Sequence, residues 1–272
     1  MNILEAMESL GIQPVTKTSR YGWFEAPEQA NGRPVIFASA LFNQWVHVFE
    51  PRLHGNTSML VSFLAQISVD EAKQELLRTG IDDEVCPTLA MPGREHINKS
   101  QISISREMPI ETKTARSAVI KSGMPLGKTI NYCKDFTYQN NGIPGHRVFG
   151  LYNVSGGIIS LDFSGKPKDL ITRDMALIPG NGSRAGSCII VVGIEVFLRI
   201  DEMSEDIVLL PSSNIIDRAL SFLEHYEIIN CICPSYALLR ALHDNLSQSE
   251  IRISSIEPPG WWDGTLFMAQ SR

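Results

Sequence analysis

No stretch of this chain reaches the roughly 18 consecutive apolar residues that a membrane-spanning helix needs, and no two cysteines stand in C-x-x-C spacing. The first absence removes a membrane partner; the second removes zinc knuckles and thiol redox motifs. The cysteines are Cys86, Cys133, Cys188, Cys231 and Cys233. Cys231 and Cys233 alternate inside an apolar segment and read as small core residues on one strand face. Basic residues do not predominate. The formal net charge is −6, without the positive footprint of a free-standing nucleic-acid binder. The opening MNILEAMESLG carries two Glu and no basic n-region, so it does not read as a secretory signal, and a cytoplasmic location is expected. GNGSRAGS at 180–187 is Gly-rich but lacks the Lys-Ser/Thr of a P-loop and precedes a strand, so it reads as a flexible connection. Ser235 follows Pro234 without a G-x-S-x-G elbow. The pairs Asp217 with His225 and Ser235 with His243 therefore do not read as a hydrolase triad. There is no internal repeat and no low-complexity tract.

The composition is that of a soluble globular chain, 43% hydrophobic and 20% charged. A length of 272 residues suggests two domains or one large one. Residues 2–10 read as a short helix, with Ile3, Leu4, Met7 and Leu10 at helical spacing and Gly11 ending it. Strands follow at Tyr21–Phe24, Pro34–Ala38 and Gln44–Phe49, then a helix over Met59–Ile67 capped by Thr57 or Ser58. SVDEAKQELLRTG has an N-cap Ser68, Glu71 three residues on and a terminal Gly80, the pattern of a capping-box helix. Residues 82–108 have no clear period and read as a linker. Residues 111–122 read as a helix ending at Gly123. Strands are expected at Asn131–Tyr138, Arg147–Val154 and Gly157–Phe163. The last third alternates: strands at Ile189–Val192, Ile207–Leu210, Ile228–Cys233 and Ile251–Ile256, helices at Ile194–Met203, Ile215–His225 and Tyr236–Leu246. Short apolar strands alternating with helices predict a mostly parallel sheet, whose ligands would sit at the strands' carboxyl ends.

In IIVVGIEVFL a strand runs into Gly193 and a helix. DIVLLPSSNIIDRALSFLEHYEIINCI repeats the strand, Ser/Asn loop and helix, and CICPSYALLRAL does so again with Arg240 on the helix. In order and punctuation this resembles the Toprim domain of primases and topoisomerases, and the whole chain resembles the small primase-like Toprim proteins of bacterial mobile elements. YGWFEAPEQANGRPVIFASALFNQWVHVFEPRLHGNTSMLVSFL, with Pro27, Asn43, Trp45 and Gly55, resembles the primase zinc-finger-like module. RVFGLYNVSGGIISLDFSGKPKD resembles the β segment that links the two. The resemblance implies an α+β module over 1–80, a linker and short helix over 81–122, a β-rich linking segment over 123–187, and an α/β Toprim-like domain with a mostly parallel sheet over 188–272.

The same resemblance marks what has been replaced. In the family a Glu before the Gly and an Asp-x-Asp after the third strand hold divalent metal, because Mg²⁺ takes hard oxygen ligands and two metals clamp attacking and leaving oxygens. Here those positions are Val192, Pro234 and Tyr236. The zinc-binding residues of the N-terminal module are missing too, with no Cys before residue 86, and His47 and His54 alone do not make a zinc site. No cofactor is expected, and catalytic residues reduce to the weak candidates Glu195 and Asp263. Lys166, Lys168, Arg173, Arg184 and Arg240 are the candidate phosphate contacts. Trp45 reads as core; Trp261 and Trp262 are candidates for contact with a partner chain.

Three functions remain open. The first is a degenerate primase-like protein, non-catalytic, acting as a nucleic-acid-associated (DNA or RNA) or protein-interaction subunit. The second is an active metal-dependent primase or nuclease that uses Mg²⁺ on relocated carboxylates such as Glu195, Asp201 and Asp263. The third is a scaffold without nucleic-acid contact.

Overall fold

The structure is a computed structural model that describes residues 1–27, 32–81, 102–140, 143–168, 174–232, 235–246 and 251–256. Its secondary structure is mixed α and β, in three five-stranded sheets that follow one another along the chain.

The first sheet begins after helix α1 (Ile3–Ser9) and comprises β1 (Thr16–Lys17), β2 (Tyr21–Glu25), β3 (Pro34–Ser39), β4 (Gln44–His47) and β5 (His54–Gly55). These strands pair in sequence order and all antiparallel. Two helices follow, α2 (Thr57–Ala65) and α3 (Val69–Arg78). Asn2 and Ser68 close capping boxes with Glu5 and Glu71, which satisfies amide groups that a helix start leaves open. The cap of α2 is Asn56, whose side chain accepts from the Met59 N–H, rather than Thr57 or Ser58. Those two residues are already inside the first turn, and both are buried. Asn43 takes the left-handed turn between β3 and β4 at φ 51°, and its Oδ1 accepts the Ile3 amide at 2.9 Å.

Successive strand residues face opposite sides, and here both sides are covered. Phe24, Ile36, Ala38 and Trp45 pack on α1, α2 and α3. Tyr21, Trp23, Phe37 and Val46 pack instead into a core shared with the third sheet. A sheet buried on both faces explains why YGWF and VIFA are continuously apolar.

The second sheet is formed by β6 (Ile102–Pro109), β7 (Lys134–Asn140), β8 (Ile143–Tyr152), β9 (Ile158–Asp162) and β10 (Pro167–Lys168), with α4 (Lys113–Lys121) and α5 (Leu126–Tyr132) between β6 and β7. The end of the expected linker is thus a strand, paired antiparallel with β7 from Ile102↔Asn140 to Pro109↔Lys134. Much of it faces solvent at the sheet edge, and the alternation that begins at Ile102 and Ile104 is not carried on through Arg106 and Glu107. Residues 131–132, expected in a strand, close α5 instead.

The third sheet contains β11 (Ala176–Ile178), β12 (Ser187–Val192), β13 (Asp206–Leu210), β14 (Ile228–Ile232) and β15 (Arg252–Ile256). Its order is β11-β13-β12-β14-β15. β12, β13, β14 and β15 are parallel, and β11 joins β13 antiparallel. This sheet therefore begins at residue 176 rather than 188. The connecting helices are α6 (Ile194–Arg199), α7 (Ile216–Leu223), preceded by a 3₁₀ turn at Ser213–Ile215, and α8 (Tyr236–Leu246). α6 stops at Arg199, short of the Met203 expected. Ile189, Val191, Ile207 and Leu209 face α6 and the second sheet. Cys188, Ile190, Val208 and Leu210 face α7, α8 and the first sheet.

The first and third sheets are joined through a buried polar seam. Asp206 opens β13, and its carboxylate accepts the Trp23 indole N–H at 2.8 Å, the Tyr226 hydroxyl at 3.1 Å and the Gly180 amide at 2.9 Å. The Gly186 amide donates to the Tyr21 hydroxyl oxygen at 3.0 Å, and the Gly186 carbonyl accepts from Glu227 and Ile228. The Gly-rich loop is therefore pinned from both sides, not a free connection.

Candidate functional site at the strand tips of the parallel sheet

In the third sheet the chain leaves β12 for β13 on one side, then crosses to β14 on the other. Helices leave such a point in opposite directions and open a crevice outside the carboxyl ends of the strands. Register fixes what stands there. Val192 lies opposite Leu210, and Ile190 opposite Cys231, so the tips of β12 and β14 are neighbours.

Val192 ends β12 and is 6% exposed, its side chain in the core shared with the first sheet. The Gly193 amide donates to the Leu210 carbonyl at 2.8 Å, and Gly193 has φ +91°. That backbone region is open to glycine and strained for other residues. A Cβ there would stand 2.7 Å from Glu195 Oε1, so an alanine would require the carboxyl to swing aside. Glu195 thus bends back over Gly193 and brings its carboxyl to the tip. The residue is 3% exposed. Burial raises its pKa, opposed by its own backbone amide and by Arg199; in a dry site the charged form is disfavoured.

On the other side of the crevice, Ser235 Oγ accepts the Leu238 amide at 3.2 Å. This is an N-cap contact at the start of α8, which accounts for the serine without nucleophilic chemistry. Tyr236 is 82% exposed. Arg240, one turn further, pairs with Asp244 at 3.5 Å across an exposed helix face. Asp201 and Glu202 follow α6, whose four residues after Glu195 span about 6 Å of helix axis before the chain turns extended at Ile200. They act instead on Lys128.

Among the described residues no group of three or more His, Cys, Asp or Glu is placed to hold a metal. A Mg²⁺ ion asks for several hard oxygen ligands. The tip supplies one buried carboxyl, a valine and an exposed tyrosine, and this set does not fit the ion. Pro234, Asp263, Arg173, Trp261 and Trp262 lie outside the described residues.

The candidate cations are dispersed. Lys166 and Lys168 belong to the β9–β10 hairpin, where the Lys166 amide donates to Asp162 Oδ1. Arg184 sits in the Gly-rich loop and is paired with Glu205 at 2.6 Å. Lys17, Lys134 and Arg147 are also paired, with Glu8, Glu107 and Asp135. The two histidines of the first sheet serve local hydrogen bonds. His47 Nδ1 accepts the Glu50 amide at 3.0 Å, and His54 Nδ1 lies 3.0 Å from the Pro51 and Arg52 carbonyls. Trp45 is core, stacked on Phe63.

One constellation has no counterpart in the motifs. Ser39 Oγ lies 2.7 Å from His225 Nε2, and His225 Nδ1 lies 2.9 Å from the Phe222 carbonyl. Only the Nδ1–H tautomer serves both contacts, so the serine hydroxyl donates to Nε2. Both residues are buried, and the pair joins the first sheet to α7 rather than facing a substrate. Its members are 186 positions apart, and nothing in the local sequence announces them.

No family model matches this chain, and no curated protein matches it. Among solved structures it is similar to the Aquifex aeolicus primase (zinc-binding and RNA polymerase domains). The identity is 14% over 100% of this chain and 80% of that one, with a TM-score of 0.36. A likeness that loose assigns neither a fold nor an activity.

Proposed function

We propose that this chain is a primase-like protein whose Toprim-like sheet no longer performs metal-dependent phosphoryl transfer, and that it works as a non-catalytic subunit in contact with nucleic acid or with a protein partner. One observation carries the reading. At the switch point of the parallel sheet, β12 ends in a core valine, and the carboxyl within reach, Glu195, stands as the single carboxyl among the described residues of the tip, buried and with its pKa raised by that burial. Phosphoryl transfer on two metals needs ionised, converging carboxylates. An active enzyme with relocated acids is disfavoured by the position of Asp201 beyond the far end of α6.

Two titrations test the proposal. Mn²⁺ followed by its electron paramagnetic resonance signal is expected to stay free in the presence of stoichiometric protein. Tight binding that Glu195→Ala removes would overturn the non-catalytic reading. Titration with single-stranded DNA and RNA at falling salt separates the two kinds of partner. Phosphate contacts strengthen as salt is lowered, so salt-dependent binding supports a nucleic-acid role, and no binding at low salt supports a protein scaffold.

A further inference from the structure

Between Thr112 and Lys134 the sequence holds five basic residues and no acidic one, in a chain whose formal net charge is −6. Two of the five are engaged. Lys134 pairs with Glu107, and Lys128 donates to the Ile200 carbonyl at 2.6 Å beneath the Phe197 ring. The other three, Lys113, Arg116 and Lys121, belong to α4 and are exposed. None of them forms an ion pair among the described residues, and neither does Glu111, just ahead of the Thr112 cap.

The helix gathers these cations on one face. At about 100° per residue, Arg116, Ile120, Lys113, Ser117, Lys121 and Thr114 follow one another around about 160° of α4. Ala115 and Val119 lie opposite, in the core between the second sheet and α6. An open groove of about 400 Å³ along the face is lined by Lys113, Thr114, Ser117, Ala118 and Lys121. The β9–β10 hairpin carries the face past the end of α4. Gly165 comes so close that a Cβ there would stand 3.0 Å from the Ser122 carbonyl oxygen, and the exposed Lys166 follows it. The acid of this hairpin, Asp162, uses Oδ1 to accept the Ser164 and Lys166 amides at 2.8 and 3.0 Å.

We propose that the exposed face of α4, extended by Lys166, is a contact surface for the phosphate backbone of a nucleic-acid duplex, bound without regard to sequence. The inference rests on the nucleic-acid half of the reading above and places that contact away from the strand tips. Lys, Arg, Ser and Thr side chains are the groups that hold phosphate oxygens. Eight residues separate Lys113 from Lys121, about 12 Å of helix axis, which matches three or four phosphates of one duplex strand at about 3.4 Å each. KTARSAVIK has no aromatic ring on which an unpaired base could stack, so the face is built for backbone rather than for splayed bases. Ile120, 61% exposed, is its single large apolar residue, too little for a helix that lies in a membrane interface.

The test uses the full chain and a short fluorescein-labelled DNA duplex, with affinity read by fluorescence anisotropy as NaCl is varied. Each phosphate contact adds about 0.9 to the slope of log affinity against log salt. Combining Lys113→Gln, Arg116→Gln and Lys121→Gln should flatten that slope by about 2.7. Lowering NaCl from about 200 to about 50 mM should then strengthen wild-type binding about 40-fold more than binding by the triple variant. Lys166→Gln should remove about 0.9 more, and Lys73→Gln on α3 should remove nothing. Lys113→Arg, Arg116→Lys and Lys121→Arg together should keep the wild-type slope, as should a duplex of unrelated sequence. Glutamine is as good a helix former as lysine, so urea midpoints of the variants should match the wild type. Duplex binding whose slope the triple substitution leaves unchanged overturns this inference and leaves the nucleic-acid reading standing. A wild-type chain that binds neither duplex nor single strand at low salt overturns both. Binding to phosphatidylserine vesicles that the triple variant loses, without any duplex binding, assigns the face to another polyanion and overturns the inference too.

Discussion

Replacing Trp23 by Phe tests the seam between the first and third sheets at its centre. The indole N–H donates to the Asp206 carboxylate at 2.8 Å, beside the Gly180 amide at 2.9 Å and the Tyr226 hydroxyl at 3.1 Å. Asp206 is 7% exposed, so water cannot replace a lost donor without opening the seam. A hydrogen bond to a charged acceptor contributes about 1.5–3 kcal/mol, and the smaller ring leaves space that adds about 1 kcal/mol. Trp23→Phe should therefore destabilise by about 2–4 kcal/mol in urea unfolding followed by far-ultraviolet circular dichroism. Asp206→Asn keeps the shape but turns an acceptor into a donor that opposes either the Gly180 amide or the Trp23 and Tyr226 pair, at a similar cost. Because the two side chains touch, the double mutant should fall short of additivity by about 1 kcal/mol or more. Additive effects, or a Trp23→Phe cost below about 0.5 kcal/mol, would mean that Asp206 does not hold the sheets together.

Other expectations follow from buried groups. His225 has its pKa lowered to about 4, chiefly by burial, against an ordinary 6.5. The unfolded chain therefore binds this proton first. Stability from this group is complete above pH 6.5 and drains as pH falls toward 4, by up to about 3 kcal/mol. Urea midpoints between pH 4 and 7 should show this slope in the wild type and lose it in His225→Asn. Asp206 acts in the opposite sense. Burial raises its pKa, so its contribution weakens as pH climbs out of the ordinary carboxyl range, and Asp206→Asn removes that drift. Gly193→Ala meets both a positive φ and the Glu195 carboxyl. It should cost about 2 kcal/mol in the wild type and about 1 kcal/mol in a Glu195→Ala background, where only the backbone strain remains. Equal costs in both backgrounds would show that the Glu195 carboxyl is not held over the tip but swings aside at no cost.

The parts of the fold that were legible are those where one local cause dominates. Ser68 with Glu71 fixes the start of α3, and the continuous apolar runs of β12 and β13 announce strands buried on both faces. The tip at Gly193 was legible from strand–Gly–helix punctuation, and the parallel pairing gives it a place in the sheet. Hidden elements were short, polar or set by distant partners. ISISREMP lies largely exposed along a sheet edge and has no buried stripe to display. α5 is seven residues opened by Pro125 without a side-chain cap. Asn56 outcompeted Thr57 and Ser58 as a cap because those two are buried inside the helix. At the candidate site, Val192 and Tyr236 could be picked out in the sequence. The return of Glu195 over Gly193 could not, since it depends on a side-chain rotamer. Nor could the pairing of Arg184 with Glu205 or the Trp23–Asp206 bond, whose partners are 21 and 183 positions apart.

The central claim is that the strand tips no longer perform metal-dependent phosphoryl transfer, and turnover is its most direct test. Purified protein and Glu195→Ala should be incubated in parallel with single-stranded template, nucleoside triphosphates and either Mg²⁺ or Mn²⁺, and the products resolved on denaturing gels. Neither primers nor cleavage products are expected from either protein. A metal-dependent product made by the wild type and lost in Glu195→Ala would contradict the claim and restore the crevice as an active site.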